Sequence, residues 1–280
     1  MLIRYGYDIT IESSTSIPII NQMSARPERK LDLRGLEKFT TTPAVPYSTY
    51  IDMFGNYCIR LTAPGGKFSM RSDATIADSG LPDPVDHSAR QMAIEELPDD
   101  VLIYLMASRY CDTDLLSQAA WDMFGSLPQG WDRVQGIVDW VHNHITFDYM
   151  DADATRTAHD AFQQGKGVCR DFAHLAIGFC RAMNIPARYI NGHLGDIAVP
   201  LTDAPMDFAA WMQVYLSGRW WTFDPRNNAP RVGRIVIGHG RDAADVALLS
   251  SFGQHRLEKF EVWTDAVDKQ GNKVAQDTAA

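Results

Sequence analysis

The chain has 280 residues, with 26 Lys and Arg against 35 Asp and Glu, so its formal net charge is −9. This acidic balance argues against nucleic-acid binding, which needs a surplus of basic residues on some face. The hydrophobic fraction of 45% and the charged fraction of 22% are those of an ordinary globular protein, and they exclude disordered and fibrous classes.

The sequence carries no pattern for export or for membrane contact. Every apolar run stays well short of the roughly 20 residues that cross a bilayer, and Arg4 and Asp8 interrupt the N-terminus before a signal peptide could form. The four cysteines stand too far apart for a metal-binding pair or a dense disulfide framework; they are Cys58, Cys111, Cys169 and Cys180. We therefore predict a cytoplasmic protein with reduced thiols and without a metal or other cofactor.

Strand patterns dominate the first third of the chain. Apolar and polar residues alternate over residues 4–12, which is typical of a half-buried strand. Two β-branched and aromatic stretches flank the turn at 54–56 and predict a hairpin, with a further short strand near 67–70. Prolines and acids then replace the strand pattern, so residues 1–98 are predicted to form a small antiparallel β domain.

A helical period follows this boundary. Apolar spacings of three and four predict amphipathic helices near 115–123 and 134–141, and a third helix that begins at Cys169 and ends before Pro186. Short strand patterns continue to about residue 264. The prediction is an α+β domain over residues 99–267 and a polar C-terminal tail over residues 268–280.

Cys169 is the residue most suited to nucleophilic chemistry. It stands at the predicted helix start, where unpaired backbone N–H groups stabilise a thiolate. The preceding Gly165-Lys166-Gly167 lets the backbone approach closely and leaves the sulfur accessible. A cysteine at a helix start is also compatible with simple packing, so position alone leaves both interpretations open.

Several blocks around Cys169 resemble the core of the bacterial transglutaminase-like family. They are GVCRDFAHL from Gly167, CRAMNIPARYING from Cys180, AWMQVYL from Ala210 and GRWWTFDPR from Gly218. The resemblance covers residues 100 to 230, and the preceding β segment is similar to the small sheet domain of bacterial members. It implies a papain-like fold in which a helical layer packs on an antiparallel sheet.

The resemblance also implies a cysteine–histidine–aspartate site, and one member is missing. Cys169 and Asp224 fall on the first and third positions, but Ala209 stands where the family has its histidine. Alanine can neither accept the thiol proton nor donate it to a leaving amine, a step worth roughly 10²- to 10⁴-fold in rate. Three explanations stay open: His193 at the end of the preceding strand relocates the base, catalysis is lost, or the residue was changed deliberately.

The other polar residues give weaker signals. Asp207 and Trp211 flank Ala209 and are predicted to line the substrate cleft, although a solvated loop acid and a core tryptophan are the simpler interpretations. No pair of histidines has the spacing of metal ligands.

Two functions therefore remain. One is a thiol-dependent enzyme, a peptidase, amidase or cross-linking protein, that acts on a peptide or protein amide through Cys169 and Asp224. The other is an inactive module of the same fold that binds peptide or a partner protein. Neither involves nucleic acid or a membrane.

Overall fold

The computed structural model of the protein describes residues 1–201 and 205–274. Its strands are β1 (Leu2–Ser13), β2 (Ile17–Asn21), β3 (Lys38–Thr42), β4 (Tyr47–Ile51), β5 (Tyr57–Ala63), β6 (Gly66–Ala77), β7 (Thr146–Phe147), β8 (Lys166–Gly167), β9 (Ala187–His193), β10 (Phe208–Leu216), β11 (Arg219–Phe223), β12 (Ile235–Gly240), β13 (Leu249–Ser251) and β14 (Arg256–Val267). Its α-helices are α1 (Asp99–Leu102), α2 (Thr113–Phe124), α3 (Trp131–His144), α4 (Ala158–Gln164) and α5 (Cys169–Ala182). The fold is mixed α+β, as predicted.

Two four-stranded antiparallel sheets make up the β region. Their strand orders are β14-β1-β6-β3 and β13-β2-β5-β4. The alternation predicted at the N-terminus places Tyr7, Ile9 and Ile11 of β1 in one buried cluster, together with Ile19 and Leu61 of the second sheet. The two sheets thus share a core, as expected when each sheet has one apolar face.

The C-terminal strands complete this β region, which the sequence did not indicate. β14 pairs with β1 along almost its whole length, from Leu2↔Val267 to Glu12↔Arg256, and β13 pairs with β2. Strands β13 and β14, from the predicted domain 99–267, therefore belong to the same sheets as the strands of the predicted domain 1–98. Residues 268–274 turn back on β14 through a bridge between Val267 and Lys273, while 275–280 lie outside the described residues.

The core places a helical layer on a third antiparallel sheet, of order β11-β10-β9-β12. α5 is its central helix, and eleven of its fourteen residues are buried. Its residues Phe172, Ala176 and Phe179 share a hydrophobic cluster with Met212 and Val214 of β10. None of the helices in the described part of the chain is long and apolar enough to span a membrane.

Candidate active site

Cys169 is the first residue of α5, at the start of the helix, as the sequence predicts. Asp171 fixes this helix start, because its carboxylate accepts the Val168 N–H at 2.9 Å. That carboxylate is itself fully buried and held by the Arg156 and Arg170 guanidinium groups, at 3.2 and 3.1 Å. A satisfied cap and a buried ion pair therefore hold the backbone that carries the thiol.

The partly exposed Cys169 opens into a cavity of about 330 Å³ between the N-terminus of α5 and the beginning of β10. The wall contains aromatic, acidic and basic side chains. The lining residues are Phe147, Tyr149, Cys169, Leu194, Asp196, Val199, Pro200, Pro205, Met206, Asp207, Phe208, Ala209, Ala210, Arg226, Asn227 and Arg231. Cys169, Asp207 and Ala209 thus share one cleft, which Asp224 does not line.

The environment of the cleft disfavours the thiolate form of Cys169. Burial of the sulfur raises the pKa of Cys169 to about 11, and the charges of Asp207 and Asp224 add to the increase. Backbone N–H groups of Ala210 and Arg170 oppose it without compensating for the lost hydration. Burial of the sulfur therefore outweighs the two N–H groups in setting the pKa of Cys169.

Ala209 lines the same cavity as the thiol and lies opposite Gly192 in the β9/β10 register. A side chain at position 209 enters the cavity that holds the Cys169 sulfur, so an imidazole at position 209 would lie in the same cavity as the thiol. Across residues 1–201 and 205–274, no histidine lines the cavity. The described residues therefore supply no imidazole to the cavity that holds Cys169.

His193 does not replace the missing base, and the relocation hypothesis is corrected here. His193 pairs with Phe208, the residue before Ala209, so its side chain points to the other face of the sheet. Its ring is fully buried between Tyr5 and Phe208, and Nδ1 lies 3.2 Å from the Thr264 hydroxyl. Burial lowers the pKa of His193 to about 3. The backbones are adjacent as expected, but the alternation of a strand directs the imidazole away from Cys169.

Asp224 has donors at both carboxylate oxygens. Oδ1 accepts the backbone N–H groups of Arg226 and Asn227 at 3.1 and 2.9 Å. Oδ2 accepts the Asn227 amide and the Arg234 guanidinium, each at 2.8 Å. Arg234 also pairs with Asp83 at 2.8 Å. The carboxylate that would orient an imidazole is therefore fully engaged in a buried ion pair and a turn.

Trp211 and Asp207 occupy different environments. Trp211 is fully buried, does not line the cavity and stacks under the Arg234 guanidinium at 4.7 Å, so the prediction that it bounds the cleft is corrected. Trp211 lies two residues after Ala209 on the same face of β10, and its ring packs over Gly192, which has no side chain to block it. Asp207 does line the cavity, and burial raises the pKa of its carboxyl group.

The sequence reasoning missed the cationic side of the cleft. Arg226 lies over the Phe147 ring at 4.0 Å, and Arg231 donates to Asn227 at 3.1 Å and to the Gly195 carbonyl at 3.0 Å. Arg226 ends the sequence block that contains Asp224, and Arg231 follows five residues later, so the block contained only the first of these two arginines. Asp196 and Asp207 line the same cavity, so its wall carries both positive and negative side chains.

Three other histidines, His142, His144 and His174, are held by contacts with the surrounding fold. His174 is buried, stacks on Tyr110 and accepts the Ala243 N–H at 3.1 Å. His142 and His144 contact the carbonyl oxygens of Pro225 and Phe162. No group of three or more potential metal ligands occurs within the described ranges.

Comparisons with known proteins show which proteins the chain resembles. Residues 119–225 match the model of the transglutaminase-like superfamily. The segment contains α5, β9, β10 and both Cys169 and Asp224. This segment of the chain is similar to the transglutaminase-like superfamily, as its sequence blocks indicate.

Three relatives show how far the similarity extends. A solved structure from Cytophaga hutchinsonii, described as a putative cysteine protease, is 28% identical and superimposes with a TM-score of 0.84 over 99% of this chain and 94% of that one. An uncharacterised protein of Mycobacterium leprae is 27% identical over 227 residues, 76% of this chain and 78% of its own length. An uncharacterised protein of Mycobacterium tuberculosis is 40% identical over 150 residues, which is 50% of this chain and 48% of that protein.

Proposed function

We propose that the Cys169 cleft binds a peptide segment and does not carry out rapid thiol acyl transfer, so that this chain is a binding module built on a transglutaminase-like fold. One observation carries the proposal: no imidazole from the described residues lines the cavity that holds the thiol. Without a base, a thiol of pKa about 11 is protonated at neutral pH and is a poor nucleophile.

The site keeps the features that a peptide ligand needs. The cavity is open, Phe147 and Tyr149 supply an aromatic wall, and the Ala210 N–H points at the sulfur, where a peptide carbonyl would also find a donor. Asp224 stabilises the turn beside the cleft through its four hydrogen bonds instead of orienting a histidine.

The alkylation rate of Cys169 tests the proposal that this thiol is a poor nucleophile at neutral pH. Intact-mass spectrometry follows iodoacetamide alkylation of the protein from pH 6 to pH 11, with Cys169→Ser as the background for the three buried cysteines. We expect the rate to rise toward a midpoint near the thiol pKa of about 11. Alkylation that is already fast below pH 8, or ammonia release from a glutamine peptide that Cys169→Ser abolishes, would overturn the proposal.

A titration with peptide tests the proposal that the Cys169 cleft binds a peptide segment. Isothermal titration with an acetylated and amidated glutamine-containing peptide should show saturable binding. Ala209→Phe fills the cleft and should weaken this binding about tenfold or more, whereas Ala209→Ser leaves the space open and serves as the control. Equal affinities of both variants would place peptide binding elsewhere.

A second candidate function is slow acyl transfer with Asp207 as the base. Asp207 lies two residues before Ala209, shares the cavity with Cys169, and its carboxyl pKa is raised by burial, which makes a carboxylate more basic. Under this alternative, Asp207→Asn abolishes ammonia release from the glutamine peptide. Under the binding proposal, there is no release to abolish.

A further inference from the structure

A second cavity, of about 490 Å³, lies on the face of the β9/β10 sheet opposite α5. Its lining combines apolar and aromatic side chains with one basic group, one imidazole and two exposed acids. The lining residues are Met53, Phe54, Asp99, Asp100, Ile103, Tyr104, Arg188, Trp220 and His239. The first candidate site does not share a residue with it.

Arg188 forms the floor of this cavity and has no carboxylate partner within the described residues. Its Nε and Nη2 both donate to the Gln213 amide oxygen, at 2.9 and 2.6 Å. Its Nη1 lies 3.2 Å from His239 Nε2, and its guanidinium stacks on the Trp220 ring at 4.2 Å. All these partners are neutral, so the positive charge is hydrogen-bonded but not compensated.

The imidazole confirms that the pocket is electropositive at its floor. Because arginine can only donate, His239 Nε2 must accept, and the ring is neutral with its proton on Nδ1, 3.5 Å from the Tyr104 hydroxyl. Burial lowers the pKa of His239 to about 2, and the charges of Arg188 and Arg26 contribute. Glu28, the acid that pairs with Arg26 at 2.6 Å, keeps an exposed side chain and forms no ion pair with Arg188.

We propose that this second cavity binds a small amphipathic monocarboxylate, whose carboxylate pairs with Arg188 and whose apolar part packs on Trp220 and Phe54. Three of the five N–H groups of Arg188 serve Gln213 and His239, and a fourth bonds the neutral Tyr104 hydroxyl, which leaves one N–H for a carboxylate oxygen. Asp99 and Asp100 lie at the rim and are exposed, so their charges disfavour a dianion such as phosphate without opposing a single carboxylate strongly.

Isothermal titration of the full chain with three probes tests the chemistry of the ligand. N-acetyl-leucine carries the carboxylate and the apolar group, leucinamide carries the apolar group alone, and inorganic phosphate carries only the anion. We expect saturable binding of N-acetyl-leucine, and affinities at least about tenfold weaker for the other two. Equal binding of leucinamide, or tighter binding of phosphate, would overturn the proposal, as would no binding of N-acetyl-leucine.

The variant Gln213→Glu locates the site. It places an internal carboxylate within 3 Å of two Arg188 nitrogens, so it should compete with the ligand and weaken N-acetyl-leucine binding about tenfold or more. The same variant compensates a half-buried charge, so it should fold at least as stably as the original chain in thermal unfolding. Cys169→Ser is the matched control in the other cavity. Unchanged affinity in Gln213→Glu, or an equal loss in Cys169→Ser, would refute binding at Arg188.

Discussion

Replacing Ala209 with histidine tests whether the absence of an imidazole at position 209 accounts for the high pKa of the Cys169 thiol. At a pKa of about 11, about one Cys169 in 10⁴ is ionised at pH 7, against about 3% of ordinary cysteines of pKa about 8.5. The less acidic thiol is intrinsically about tenfold more nucleophilic once ionised. The original chain should therefore alkylate roughly 20- to 30-fold more slowly than free cysteine.

An imidazolium beside the sulfur should lower the pKa of Cys169 by about one to three units. After the opposing loss of intrinsic nucleophilicity, alkylation at pH 7 should become about 4- to 40-fold faster. Full activation is not expected, because Arg234 and Asn227 already occupy the Asp224 carboxylate that would orient the new ring. Ala209 is partly exposed in an open cavity, so the stability cost should be about 1 kcal/mol or less.

The assay is the iodoacetamide rate against pH, measured by intact mass, for the original chain, Ala209→His and Ala209→Asn. Asparagine adds a polar group of similar size that does not titrate, so it controls for shape and hydration. If Ala209→His is no faster than Ala209→Asn, position 209 is out of reach of the sulfur. If the original chain already reacts at the rate of free cysteine, the argument that burial protects the thiol is refuted.

Three further predictions concern Asp224, His193 and the β region. Asp224→Asn removes one partner of a buried ion pair with Arg234 and should cost about 3–5 kcal/mol in urea unfolding, whereas Glu12→Gln, on an exposed pair with Arg256, should cost about 1 kcal/mol or less. His193→Gln should leave the pH profile of alkylation unchanged, because the ring lies on the other face of the sheet; a slower rate would restore His193 as the base. Burial raises the pKa of Glu37 from about 4.5 in the unfolded chain to about 7 in the folded protein, so between these pH values the folded state binds more protons than the unfolded state. The free energy of unfolding should therefore fall by up to about 3 kcal/mol as the pH rises from 4.5 to 7. Unfolding measured at pH 5 and pH 8 should show this fall in the original chain and not in Glu37→Gln.

Local patterns in the sequence predicted the elements that carry the site. The helical spacing after Cys169 placed the thiol at the start of α5, and the alternation at the N-terminus gave β1 its buried face. The sequence blocks around Cys169 and Asp224 indicated the family that the matched segment 119–225 supports. Each of these features depends on residues a few positions apart, for which hydrogen-bonding and side-chain periods are fixed.

The partners of the site residues could not be predicted in this way. Arg234 neutralises Asp224 from ten residues away, and Asp83 joins the same network from 151 residues before Arg234. His193 was placed beside the vacated position by a correct strand pairing, but a one-residue difference in register decided which face its ring occupies. Register is set by the packing of the whole sheet, so it does not follow from the strand sequence alone.

The sequence by itself determined that this is an acidic α+β protein with a cysteine at a helix start and an alanine where the family that it resembles has a histidine. Only the tertiary structure decided that β14 closes the N-terminal sheet, that burial raises the pKa of Cys169 and that Arg188 has no acidic partner among the described residues. The physical reason is that hydration and charge at a side chain depend on everything packed around it. Those neighbours come from distant parts of the chain, whereas a helix start or an alternating strand depends on adjacent residues.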